Sequence, residues 1–347
     1  MFPTDRIAGC LLGGAIGDAR GLAYENLSRR RLEAWRPRLD GYGLLPGLGL
    51  VSDDTEHACL TAQALGKCAD DPVRFGQVLA WRLRWWLAAL PAGIGLATGR
   101  AILKLWLGFP PSRSGVRSAG NGPAMRAAII GVRFAATPER IAGFVVVSTR
   151  LTHRDPRAEL GALAIALAAA AAARDDFDPA RWRHELARRA APAAGELLAR
   201  LDDMLASIAQ GETTRAFCQR MGWEKGVTGY IVHTVPAALH AWLSKPRDLD
   251  AALAAIIGCG GDTDSTAAIT GSLVGATVGE TGLPVTALKG LRDWPWNQRR
   301  IRRLAAALDG HDHAALRQPW FAPQLLRNLG FLALVLWHGL RRLLPPY

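Results

Sequence analysis

Two runs of glycine at four-residue spacing constrain this chain more than any other feature. Gly9, Gly13, Gly17 and Gly21 lie near its start, and Gly271, Gly275 and Gly279 lie far downstream. On a helix, residues four apart share a face, so each run makes a smooth stripe that another helix backbone can approach closely. Membrane helices use such stripes too, but Asp18 and Arg20 interrupt the first and argue against a span. The stripes are expected on two central helices of a compact all-α bundle. Alanine-rich stretches such as ELGALAIALAAAAAAR (159–174) extend the helical reading, because Ala and Leu are strong helix formers and alternating β-branched runs are scarce. FVVVST (144–149) has strand propensity, yet the proline of the preceding TPERIAG suits a first helical turn, so it too reads as helix. Further helices are expected at about 54–69, 74–90, 93–106, 123–135, 138–149, 157–173, 179–209, 229–243, 248–258 and 264–279.

The 347 residues, half of them apolar and 21% charged, are enough to bury a sizeable core. One all-α domain is expected over 1–320, followed by a tail helix over 321–347. The tail run LGFLALVLWHGL is too short to span a bilayer and is expected to dock on the body, with a membrane interface or a partner subunit as alternatives. Five cysteines, an odd number without a CxxC pair, argue against a disulfide framework and a zinc site. They suit a reducing cytoplasm, and the N-terminus shows no basic leader with an apolar core. A net charge of +12 with pI near 10.2 raises nucleic acid as a partner. No aromatic-interleaved basic stripe accompanies it, so a solvated arginine-rich surface is the preferred reading.

Three acidic clusters stand in small or hydroxyl-rich surroundings. They are GDARGLAYE with Asp18 and Glu25, SDDTEH with Ser52, Asp53, Asp54 and Thr55, and GGDTDST with Asp262, Asp264, Ser265 and Thr266. The last two run into apolar helical stretches, which puts their acids at helix N-termini. Capping is the plain account, since Ser, Thr and Asp accept the first free amides and suit the dipole. Adjacent carboxylates make a poor cap, however, because one suffices and like charges repel. Two such clusters brought together need a cation between them. Carboxylates and hydroxyls without His or Cys select a hard ion, Mg2+ or Mn2+ rather than zinc. An EF-hand is excluded, because position twelve counted from Asp262 is Leu273.

Two further stretches bear on a ligand. SGVRSAGNGPAMR (114–126) offers glycine-freed amides ahead of a helix expected at Pro123, which suits a phosphate or pyrophosphate; an ordinary turn is the plain alternative. THRDP (152–156) sets His153 before a turn, and HDH (311–313) reads as solvated polar loop.

Taken in order, GGAIGDARGLAYE, SDDT, SAGNGPAMR, LTH and GGDTDSTAAITG resemble the ADP-ribosylglycohydrolase family over roughly residues 5–280. The resemblance implies an all-α fold with a binuclear magnesium site that cleaves ADP-ribose from its acceptor. Carried over motif by motif, it makes Ser52, Asp53, Asp54, Asp262, Asp264 and Ser265 ligands of two Mg2+ (or Mn2+). Glu25 matches a glutamate that sits beside the metals in some members and helps hydrolysis. Gly115, Ser118, Gly120, Asn121 and Gly122 match the loop cradling the diphosphate and distal ribose, His153 a ligand-side histidine, and Tyr230 an adenine-stacking candidate. Ser52 and Ser265 stand where threonine is common, and either hydroxyl can ligate.

Such chemistry passes through an oxocarbenium-like state, with Asp53, Asp54 or Glu25 taking the proton of the attacking water. The substrate would be an ADP-ribosylated protein or a related ADP-ribose conjugate. A non-catalytic ADP-ribose-binding relative and a basic nucleic-acid-associated protein are the rival readings. Nothing in the resemblance speaks to the apolar tail.

Overall fold

In the computed structural model, which describes residues 4–35, 37–310 and 313–342, helices carry most of the chain. His311 and Asp312 of the HDH stretch, and the end of the expected tail, lie outside the described residues. The first part runs through α1 (Thr4–Gly21), α2 (Arg29–Trp35), α3 (Asp53–Lys67), α4 (Pro72–Ala88), α5 (Leu96–Trp106), α6 (Pro111–Ser114), α7 (Ala128–Arg133) and α8 (Ile141–Arg150). The second part holds α9 (Pro156–Arg174), α10 (Pro179–Arg189), α11 (Gly195–Ala209), α12 (Thr214–Arg220), α13 (Ile231–Ser244) and α14 (Leu249–Ile257). It ends with α15 (Thr263–Val278), α16 (Val285–Gly290), α17 (Gln298–Leu308) and α18 (Phe321–Arg341). Among the described residues the one sheet is a two-residue antiparallel ladder, β1 (Leu27–Ser28) against β2 (Gly260–Gly261).

The glycine stripes meet each other. A methyl added at Gly9 would overlap the Gly275 carbonyl, one at Gly13 the Gly271 carbonyl, one at Gly17 the Ala267 carbonyl, and one at Gly21 the Thr263 carbonyl. That register is antiparallel, and it buries α1 from Ile7 to its end and α15 from its start to Thr277. Gly279 sits just past α15 as its C-cap, with φ +74°, and is not part of the helix. Beside this pair the alanine-rich α9 packs against α7, α8, α13 and α15. Its small side chains allow the same closeness: a methyl at Gly131 of α7 would overlap the Ala166 carbonyl.

FVVVST is helical, inside α8. Two expected helices are interrupted. The stretch expected over 179–209 breaks at Ala190, where Pro192 opens a 3₁₀ turn before α11. Pro has no amide to continue an i to i−4 ladder, which explains the stop. Likewise 123–135 begins as a 3₁₀ turn (Ala124–Arg126) and becomes α7 only at Ala128.

The tail helix α18 docks on the body through Phe331, Leu334 and Val335, which pack on the core, and through several polar side chains. Asn328 Nδ2 donates to the Ala89 carbonyl at 2.8 Å, and Arg327 donates to the Val51 carbonyl at 2.7 Å while pairing with Asp293. His338 reaches the Ala23 carbonyl at 3.1 Å, and Arg342 binds the carbonyls of Ala23 and Glu25.

Candidate active site

The antiparallel glycine contact decides where the acids go. It sets the C-terminal end of α1, which carries Asp18 and leads to Glu25, beside the N-terminus of α15, which carries Asp262 and Asp264. The ladder of β1 with β2 then fixes the chain after Glu25, with the Asn26 amide donating to the Gly261 carbonyl at 2.7 Å. The start of α3 is drawn in by Asp18. Its fully buried carboxylate accepts from the Ser52 amide at 2.9 Å, the Thr55 amide at 3.1 Å and the Thr55 hydroxyl.

Asp18 therefore takes the amides that helix capping would have assigned to the neighbouring acids. Ser52 is the N-cap of α3, accepting from the Asp54 amide at 3.3 Å, whereas Asp262, at the N-cap of α15, makes no capping bond. The two motifs touch directly: Ser265 Oγ donates to Asp54 Oδ2 at 3.1 Å, and Ser52 Oγ lies 3.3 Å from the same oxygen. Asp54 Oδ1 is buried without any hydrogen-bond partner. Asp53 lies half-buried under the α4–α5 loop at Gly93, and Asp264 accepts the Ser265 amide at 2.9 Å.

Electrostatically this pole is incomplete. Burial first, then Asp53, Asp18 and Asp262, hold the Asp54 carboxyl well above the usual carboxylate range. Asp53 and Asp264 are raised by burial and by the surrounding acids. Glu25 is raised by burial and by Asp262, against the opposing charge of Arg342. Among the described residues no three His, Cys, Asp or Glu side chains close into a ready-made ligand shell. The carboxylates share one enclosure and repel within it, with serine oxygens filling the gaps.

Opposite this acidic pole stands a loop held by nitrogen donors. Arg126, fully buried, gives its guanidinium to the Ser148 hydroxyl (3.1 Å) and carbonyl (2.9 Å), the Thr152 hydroxyl (2.7 Å), the Gly122 carbonyl (3.2 Å) and His57 Nδ1 (3.2 Å). Burial lowers the Arg126 pKa to about 10, so it stays charged at neutral pH. Thr152 in turn lies 2.9 Å from His153 Nδ1, and burial with Arg126 lowers His153 to about 3, which keeps the ring neutral. The ring of His153 lies under the glycine loop. A Cβ at Gly120 would come within 3.0 Å of Nε2, and one at Gly122 within 3.1 Å of Cε1. A side chain at either glycine would press on the ring beneath it.

Asn121 joins the poles. Its Nδ2 donates to Asp262 Oδ2 at 2.7 Å and to Thr234 Oγ1 at 3.1 Å, while its amide donates to the Gly229 carbonyl at 2.9 Å. Ser118 Oγ accepts the Gly120 amide at 3.2 Å. Two amides that the sequence reading offers to an anion are thus engaged inside the loop, where they fix its shape. Gly115 packs against the Arg150 carbonyl, too close for any side chain. Tyr230 sits at the loop's outer edge: its hydroxyl donates to Glu196 at 2.6 Å and accepts from Arg157 at 2.7 Å, and Arg157 covers one face of the ring.

Sequence reasoning missed Arg126, although an arginine directly after GNGPAM was a visible signal. It also gave no role to the turn 226–229, where the Val227 carbonyl accepts the Asp262 amide at 2.7 Å. A Cβ at Gly229 would come within 3.0 Å of Asp262 Oδ2. A cleft of about 400 Å3 opens beside Glu25, between Leu22 and Leu44 on the body and Leu336, His338 and Leu340 of α18. A separate cleft of about 490 Å3 near Arg174, Arg181 and Trp182 shares none of these residues.

The ADP-ribosylglycohydrolase family model matches residues 2–316. The chain is 30% identical over 295 residues to an uncharacterized protein of Archaeoglobus fulgidus, covering 83% of this chain and 92% of the relative. It is 26% identical over 315 residues to the ADP-ribosyl-[dinitrogen reductase] glycohydrolase of Rhodospirillum rubrum, covering 88% and 95%. A solved structure, of an ADP-ribosylglycohydrolase-related protein complex, superposes with a TM-score of 0.66 at 26% identity, covering 88% of this chain and 97% of the other.

Proposed function

The chain belongs to the ADP-ribosylglycohydrolase family, and from that premise we propose that it is a Mg2+-dependent hydrolase of the bond between ADP-ribose and an acceptor. The acceptor is an ADP-ribosylated protein side chain or a related conjugate. The observation that carries the reading is the junction of Asp54 with Ser265, at which Asp54 Oδ1 is left buried and unpartnered among like charges. A buried carboxylate oxygen without a donor is costly unless a proton or a cation meets it, and a cation also relieves the neighbouring acids. Oxygen-only donors fit a hard divalent ion, so Ser52, Asp53, Asp54, Asp262, Asp264 and Ser265 would hold two Mg2+, or Mn2+ on the same donors. When bound, such ions supply Lewis-acid polarisation of the ribose oxygens and make water more acidic.

The chain's own residues do the rest. Asp54 commits Oδ2 to two serines and Asp53 lies under Gly93, whereas Glu25 borders the open cleft. Glu25 is therefore the best-placed base: it takes a proton from the water whose oxygen joins the anomeric carbon as the acceptor bond breaks. The Gly115–Gly122 loop, with its shape fixed by Arg126 and Asn121, holds the diphosphate side so that the reacting carbon stays in place. A neutral His153 adds no charge of its own against that loop. Five buried, unpaired cysteines fit a reducing cytoplasm.

The test is ADP-ribose release by the full chain from arginine- and serine-ADP-ribosylated peptides and from O-acetyl-ADP-ribose, in Mg2+ and in EDTA. Release that stops in EDTA and returns with Mg2+ or Mn2+ is expected. Tight ADP-ribose binding with no turnover on any acceptor would mark a non-catalytic binder and contradict the proposal.

A further inference from the structure

A helix on a water-facing surface buries its apolar stripe and shows its polar one. α18 buries only part of its apolar surface. Its inward face carries Gln324, Arg327, Asn328 and His338 with Phe331, Leu334 and Val335, and Arg342 follows just past its end, while its outward face carries Leu326, Leu329, Leu336, Trp337 and Leu340. Leu326 exposes 71% of its surface, Trp337 67% and Leu340 61%. At its N-terminal end this stripe continues onto the body. Phe321 contacts Trp85, with ring centroids 5.8 Å apart, and Trp85 contacts Trp106 at 5.7 Å. Beyond Trp106 a shallow cleft is lined by Leu90, Leu96 and Leu103, all exposed. An apolar surface of this extent marks a place that meets something other than water.

Charge says what covers it. Residues 72–138, which include α4 and α5, hold nine lysines and arginines, Arg82 and Arg126 among them buried, and not one acid, although the whole chain carries 30 acids. Residues 313–347 hold four arginines and no acid. Arg74, Arg100, Arg113, Arg117 and Arg341 are exposed in these segments. Two copies meeting through this face would set these acid-free, arginine-bearing segments against each other without compensation. Nucleic acid would satisfy the arginines but leave the leucines of α18 uncovered. An anionic bilayer answers both: acyl chains take the leucines, the headgroup boundary takes the tryptophans, and anionic headgroups take the arginines.

We infer that the outward face of α18, with the exposed edges of α4 and α5, is a docking surface for anionic lipid bilayers. The protein lies on the membrane and does not cross it. The one described helix long and apolar enough to span is α9, and that helix is buried in the core. The surface also borders the acidic pole, because Gly93 of the α4–α5 loop adjoins Asp53 and Arg342 at the end of α18 holds the Glu25 carbonyl.

The test is co-sedimentation of the full chain with vesicles of phosphatidylcholine, alone or containing phosphatidylglycerol. Binding is expected with the anionic vesicles and is expected to fall in high salt. The double variant Leu336→Glu/Trp337→Glu, at exposed positions, should lower the bound fraction at least about tenfold with an unchanged melting temperature. Arg100→Glu should lower binding to the anionic vesicles by about fivefold or more and leave the phosphatidylcholine background unchanged. Failure to sediment with anionic vesicles would overturn the inference. So would a dimer that the double variant dissociates, or retention on nucleic acid lost with that variant, if either occurs without vesicle binding.

Discussion

The acidic pole and the Arg126 loop face each other across the site, and they are built on opposite principles. Around Arg126, five bonds satisfy a buried cation with neutral acceptors, and His57 and His153 stay uncharged. Around Asp54, acids crowd together, one oxygen has no partner, and burial first, then the neighbouring acids, hold the carboxyls above their usual range. The buried charge of Arg126 is met by the chain's own acceptors, whereas on the proposed reading the acidic pole is completed by a cation. This is the familiar division between preorganised binding and strain kept for function.

The difference makes opposite predictions for the two sides. Asp262→Ala removes an acid that holds Asn121 and faces Glu25, so kcat for ADP-ribose release should fall about a thousandfold or more, measured at saturating Mg2+. The same change relieves repulsion, so melting in EDTA should not fall. Arg126→Met acts the other way. It orphans buried acceptors on Ser148, Thr152 and Gly122 and should cost about 3–5 kcal/mol in denaturant unfolding. Gly17→Ala tests the seam that assembles the acids. Its methyl meets the Ala267 backbone, which cannot rotate away, and about 1–3 kcal/mol should be lost along with activity.

The smallest effect is a slope against pH. A carboxyl with a raised folded pKa stabilises the fold below its unfolded value near 4, and that contribution is lost as pH rises through the folded value. Burial sets Asp18 at about 6 and Glu56 at about 7. His153 at about 3 and His240 at about 4 work oppositely, losing their contribution as pH falls below about 6.5. From pH 6.5 to 7.5 in EDTA, Asp53, Asp54 and Asp264, held well above the carboxylate range, add to Asp18 and Glu56 and outweigh His57, His153 and His240, so stability should decline, by less than about 1.4 kcal/mol per group. Urea unfolding at each pH measures it.

Much of this was legible in the sequence for specific reasons. Four-residue glycine spacing sets close helix packing by geometry alone, so α1 and α15 could be paired from their stripes. The doubled acids of SDDT and GGDTDST could be separated from capping because a cap needs one acceptor. The second acceptor at that helix start was hidden: beside the cap Ser52, Asp18 reaches the first amides of α3 from 34 residues upstream, and no local pattern reports a contact of that range. Arg126 and Gly229 were missed for the same reason, since each works through partners distant in sequence. The orientation of α18 was also out of reach, because apolar content says that a helix docks and not which face it turns inward.

The central claim is that the acidic pole needs a cation, and thermal melting with increasing Mg2+ tests it most directly. The native chain should gain about 2.7 kcal/mol, read as a rising melting temperature, when Mg2+ reaches a hundred times its dissociation constant. Asp54→Asn should start from a melting temperature at or above that of the native chain in EDTA and should rise little with Mg2+. A native chain indifferent to Mg2+ and Mn2+, or an Asp54→Asn variant that gains as much as the native chain, would contradict the account.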